Sequence, residues 1–135
     1  MTFHIEPLTW YEAAQRCKQD YPYSHLVSVT SMDKQNYIIK KIESRPDLTQ
    51  TSAFGYWTGG NDEASEGRWM WTGNGNPVPL NYTDWHVGQP NNVGGDQDCL
   101  LIQYYDDHFK WGDVSCTETH PFICEANYSQ SRQSR

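Results

Sequence analysis

The chain has 135 residues, a length that fits one domain, and its 17 acidic against 10 basic residues give a formal charge of −7. That balance argues against nucleic-acid binding, which calls for a basic face. No apolar run approaches the roughly 18–20 residues needed to span a bilayer, and the six Trp and nine Tyr can build a core with only modest Leu and Ile.

Residues 1–10 lack the basic start and apolar stretch of a signal peptide, so Met1 is expected to be an added start on a trimmed secreted protein. The stretch TWYEAAQRCKQDY predicts a helix, with Thr9 as N-cap and Glu12 completing a capping box. Trp10, Ala13, Ala14 and Cys17 share one face at helical spacing. HLVSV (25–29) alternates and is β-branched, which predicts a strand. SMDKQNYIIKKIESRP predicts a second helix, capped by Ser31, with Tyr37, Ile38 and Ile42 as its apolar stripe and Pro46 as its stop. Beyond Pro46 come short strand-like runs: YWTGG, RWMW, CLLIQYY, KWGDV and FICE. Helices followed by short strands make an α+β pattern. Trp57, Trp69, Trp71, Trp85 and Trp111 are expected in the core. The reading is one domain over 1–127 and a disordered polar tail over 128–135.

Four cysteines, Cys17, Cys99, Cys116 and Cys124, favour two disulfides in one of three pairings over a zinc site, since no close C-x-x-C pair occurs. Disulfides imply an oxidising, extracellular compartment. The sequons at Asn81 and Asn127 agree with secretion and with a glycoprotein. The five histidines, at 4, 25, 86, 108 and 120, show no H-E-x-x-H spacing. No nucleophile elbow or phosphate loop appears either, so the chain is not expected to be an enzyme.

Residues 76–98 form a long stretch with little strand character, anchored by Trp85 and ending at Cys99. Loops of that size in a compact domain are functional or disordered, and this one is read as functional. From Asp84 to Asp113 there are six Asp and a single Lys, Lys110. Such carboxylates make a solvated acidic face or, mixed with Asn and Gln, supply the hard oxygens that calcium prefers. In Gln89-Pro90-Asn91 a cis X-Pro bond would aim two amide carbonyls at one ion and leave both NH2 groups to donate to sugar hydroxyls.

At these residues the chain resembles the C-type lectin-like domain family. The resemblance covers about residues 3–125 and rests on WYEAAQRC, YWTGGND, EGRWMWTG, LNYTDWHVGQPNN, DQDCL, KWGDVSC and PFICE. Its texture is similar to that of soluble, secreted invertebrate members. It implies two helices, two small antiparallel sheets, a long ligand-binding loop, and the pairings Cys17–Cys124 and Cys99–Cys116. It also implies a calcium site at Gln89, Asn91, Gln97 and Asp113, with Asp96 or Asp98 able to compensate. Gln97 stands where the family has an acid, and Gly112 where it has an amide, so binding is expected to be weak.

The same positions, with Val93 and Val114, are the carbohydrate candidates. Gln-Pro-Asn is a hybrid of the family's mannose-type and galactose-type motifs. Tyr104, Tyr105 or His108 would have to supply any aromatic face for a galactose-type sugar. The expected function is therefore Ca2+-dependent glycan binding by a secreted lectin, in innate immunity. The alternative is a degenerate domain with little calcium binding that acts through a protein partner. Without coiled-coil heptads, any homo-oligomer would use domain surfaces.

Overall fold

The computed structural model describes residues 1–21, 23–49, 55–73, 75–86, 88–90, 97–103 and 109–126. The chain opens with a strand where the sequence suggests none, β1 (Thr2–Leu8). Its FHIEPL segment hides strand character because Pro7 and Glu6 interrupt the alternation. The ladder to the last strand shifts register between His4 and Leu8, and an outer strand with a bulge is where a proline fits.

Helix α1 (Trp10–Cys17) is built as the sequence predicts. Thr9 and Glu12 form the capping box, and Ala13 and Cys17 are buried. Strand β2 (Ser24–Leu26) is shorter than expected. At Val27 the chain leaves the ladder: its N–H donates to Ile123 and its carbonyl accepts from Gly59. Val27 and Val29 are therefore core residues outside any strand.

Helix α2 (Met32–Ser44) starts at the Ser31 cap. Pro46 does more than stop it, since it opens a short third helix, α3 (Pro46–Thr49), as proline does at a first helical position. The predicted stripe is corrected at one position: Tyr37 is 48 % exposed, and the inward residue is Gln35, at 2 %. Its amide NH2 donates to Phe109 O at 3.0 Å, and its carbonyl accepts from Trp111 Nε1 at 3.1 Å. A polar side chain is stable at that depth because both ends of it are satisfied.

The remaining strands are β3 (Gly55–Asn61), β4 (Met70–Trp71), β5 (Val78–Pro79), β6 (Cys99–Gln103), β7 (Trp111–Val114) and β8 (His120–Ala126). β5 pairs with β4 inside the stretch read as one continuous loop. Two antiparallel groups result. β8 carries β1 and β2, and β3 carries β4 and β6, with β7 beyond β6. One parallel pair, Trp57 opposite Phe122, joins the groups.

The core has two parts. One gathers Val27, Ile38, Ile42, Tyr56, Trp71 and Trp111, and the other surrounds the disulfides with Leu26, Trp57, Leu101 and Phe122. Of the five tryptophans assigned to the core, Trp69 and Trp85 are only partly buried and pack against the first cluster. Cys17 bonds Cys124, and Cys99 bonds Cys116. No helix among the described residues is long and apolar enough to cross a membrane.

Candidate functional site

The site begins with the edge of β7. The segment 84–86 runs beside it as an irregular extra strand. Trp111 N–H donates to Asp84 O and His86 N–H to Trp111 O, both at 2.8 Å, and Trp85 bridges Trp111 in parallel. Aromatic edges hold this segment down: Trp85 meets Trp111 at 5.9 Å and Trp69 at 5.0 Å between ring centroids. Lys110 Nζ lies 2.6 Å from Asp84 Oδ1. Gly88, at φ +86°, turns the chain, and the Gln89–Pro90 bond is cis. Gln89 then continues the edge pairing with its side chain, its Oε1 accepting from Asp113 N–H at 3.2 Å.

Two of the four candidate ligands thus meet directly, the loop amide and the strand residue. Asp113 is buried. Gln97 and Asp98 lie half-buried just before Cys99. Asn91, Val93 and Asp96 lie outside the described residues, as do Asn127, Tyr104, Tyr105 and His108. Val114 packs against the disulfide cluster. Asn81 is exposed, as an acceptor asparagine must be. At Gly112, a Cβ would come within 2.8–2.9 Å of the Gln103 amide. The space a side chain at 112 would take is therefore held by the end of a flexible glutamine.

Strand register draws a second group of oxygens to the same end of the sheet. Asn61 pairs with Cys99, and Cys99 with Val114. That single rung sets Asp62, Asp98 and Asp113 each one residue from a member of it. Asp62 N–H donates to Asp98 O at 3.0 Å. Ligand oxygens of Asp62, Glu66 and Asp98 all lie within 4.8 Å of one another.

Asp62 is 2 % exposed. Its Oδ2 accepts from Gly67 N–H at 2.8 Å, while its Oδ1 is buried with no hydrogen-bond partner. Burial, reinforced by Glu66, pushes the Asp62 carboxyl above the ordinary aspartate range. At the rim, Tyr11 donates its hydroxyl to Glu63, and this bond pushes the phenol up to about 12. A buried carboxylate oxygen without a donor, among further carboxylates, is chemically suited to a hard cation.

Asp98 is among the residues the sequence reading names; Asp62 and Glu66 are not. The signal was available in Asp62-Glu63-Ala64-Ser65-Glu66, two acids four apart in a turn, but it lies 36 positions before Asp98.

Residues 6–126 match the model of the lectin C-type domain. Perlucin of Haliotis laevigata is 37 % identical over 115 residues, covering 84 % of this chain and 67 % of that protein. The hepatic lectin of Gallus gallus is 29 % identical over 91 % of this chain, which spans only 52 % of that lectin's length. Among solved structures, the C-type lectin CEL-I from Cucumaria echinata superposes with a TM-score of 0.76 at 28 % identity, covering 90 % of this chain and 85 % of that one.

Proposed function

Because this chain belongs to the C-type lectin domain family, we propose that it is an extracellular domain that binds carbohydrate with the help of Ca2+. The observation that carries this reading is the rung Asn61–Cys99–Val114. It sets Asp62 beside Asp98, with one Asp62 oxygen buried and lacking a donor, and puts Asp113 on the next strand opposite Leu100. Asp62, Glu66 and Asp98 are one proposed ligand set. Gln89, Asn91, Gln97 and Asp113, with Asp96, are the other. Calcium, when bound, supplies a hard positive centre that neighbouring sugar hydroxyls can join as ligands.

The chain's own part is donor geometry. Asp113 N–H holds Gln89 by its carbonyl. The Gln89 NH2 is thereby oriented, and its two hydrogens can donate to a hydroxyl. Two disulfides support an oxidising, extracellular setting. Glycan recognition in innate immunity, a glycan on Asn81 and mannose- or galactose-type ligands belong to this proposal. On a glycan array, signal on mannose- or galactose-terminated glycans is expected in calcium and is expected to fall to background in EDTA. Signal that persists unchanged in EDTA would overturn the calcium dependence.

One observation favours a second reading, a domain that has lost the ion and acts through a protein partner. Gly112 offers no side-chain ligand, and Gln103 lies over it. On that reading Gly112→Asn with Gln97→Glu creates calcium binding absent from the parent, with the Gln103 amide swinging aside. Calorimetry of both proteins decides: a parent that already binds calcium removes the second reading.

A further inference from the structure

Away from the calcium-site residues, α1, β2 and the residues Thr72, Gly73 and Gly75 line an open pocket of about 530 Å³, which Trp10, Lys18, Tyr23 and His25 also face. It shares no residue with either oxygen group. Its volume lies within the range of small-molecule sites, roughly 300–1,000 Å³.

Three features suggest a built site. Trp10 is pinned, its Nε1 donating to Thr58 O at 2.8 Å, so its ring is held at the wall. His25 is 8 % exposed, and its Nδ1 lies 2.8 Å from Leu26 O. A carbonyl can only accept, so Nδ1 carries the hydrogen and Nε2 is the nitrogen left for a ligand. Gly73 makes this arrangement possible, because a Cβ there would lie 2.5 Å from Leu26 O and 2.9 Å from His25 Nδ1. Tyr23 holds a left-handed φ of +67° and is 54 % exposed. A bulky residue in that conformation is a strained outlier, a kind that collects at functional sites.

The electrostatics narrow the ligand. Among the described residues no acid lines the pocket and Lys18 is its one fully charged group, on a chain whose net charge is −7. Lys18 has no ion-pair partner among the described residues. Two aromatic faces suit the apolar face of a ring, and one ammonium matches one negative charge rather than two. We propose that this pocket binds a sugar acid, a single ring bearing one carboxylate, independently of calcium. The ring lies between Trp10 and Tyr23, the carboxylate meets Lys18, and a hydroxyl meets His25 Nε2.

The test is an NMR titration of 15N-labelled protein in EDTA, with glucuronate as probe and glucose as its uncharged control. Glucuronate is expected to move the Trp10 indole N–H and the amides of Lys18, Tyr23 and His25, and glucose is not. Lys18→Gln should weaken the glucuronate response about tenfold, the size of one charge-assisted hydrogen bond. Tyr23→Gly relieves the positive φ while deleting the ring, so it should stay folded and also bind more weakly. Equal responses to both sugars, shifts elsewhere, or a Lys18→Gln response equal to the parent's would overturn the proposal. Because EDTA is present throughout, the result stands apart from that of the calcium site.

Discussion

Replacing Cys99 and Cys116 together by alanine is expected to cost about 3 kcal/mol of stability, while replacing Cys17 and Cys124 costs about 5, on the chain-entropy account of loops of 17 and 107 residues. Ligand binding should rank the other way. Cys99 follows Asp98 directly, and Val114, its partner on the rung, follows Asp113. The smaller loop therefore clamps the ends of the segments that carry both oxygen groups. Chemical denaturation of each double variant gives the stabilities, and calorimetry with CaCl2 gives the affinities. The Cys99/Cys116 variant should be the more stable of the two and the poorer calcium binder. If calcium affinity instead tracked stability, the smaller bridge would have no special hold on the site.

The second large effect is expected at Asp62. In the ion-free protein its carboxyl is buried, lies beside other acids and titrates above the ordinary aspartate range. The folded chain then holds that proton more tightly than the unfolded chain does. Stability therefore falls as pH rises from the ordinary aspartate range through the elevated one. Asp62→Asn removes the charge and puts an NH2 where an oxygen had no donor. It keeps an oxygen for Gly67 N–H.

The variant should gain about 1 kcal/mol without calcium, a shift of a few degrees in Tm, and should lose the decline between those pH values. It should also lose the part of the calcium response that the Asp62, Glu66 and Asp98 set supplies, about 1.4 kcal/mol for the parent at ten times that set's dissociation constant. Thermal melts in CaCl2 and in EDTA, across pH, read all three. A variant no more stable than its parent in EDTA, or one stabilised by calcium as much as its parent, would contradict the role assigned to Asp62.

The fold was legible wherever local chemistry and tertiary demand agree. Thr9 and Glu12 cap α1 by contacts three residues apart, so the sequence alone displays them. The same holds for Ser31 at α2. β1 was not legible, because a strand with a bulge needs no clean alternation and owes its existence to β8, more than a hundred residues away. Tyr37 and Gln35 were exchanged for a related reason. Hydropathy ranks Tyr as the inward residue, but Phe109 O and Trp111 Nε1 need partners, and Gln35 serves both.

The site divides in the same way. Gln89 and Asp113 stand out in short motifs, and the structure joins them through the Asp113 backbone N–H. Asp62 and Glu66 become partners of Asp98 only through the register of β3 on β6. No spacing within a single segment announces that pairing.

The adjacency of β1 and β8 also sets how the domain would carry mechanical load. Thr2 lies opposite Cys124 in an antiparallel pair, so a pull applied at residues 2 and 126 would unzip that ladder rung by rung rather than shear it. The peel ends at the Cys17–Cys124 bond. Only the leading residues could pay out, about 50 Å at full extension, while residues 18–123 inside the loop, with both oxygen groups among them, would feel no tension. A tethered domain of this build would give like a short elastic strap and keep the strands β3, β6 and β7 in shape under pull.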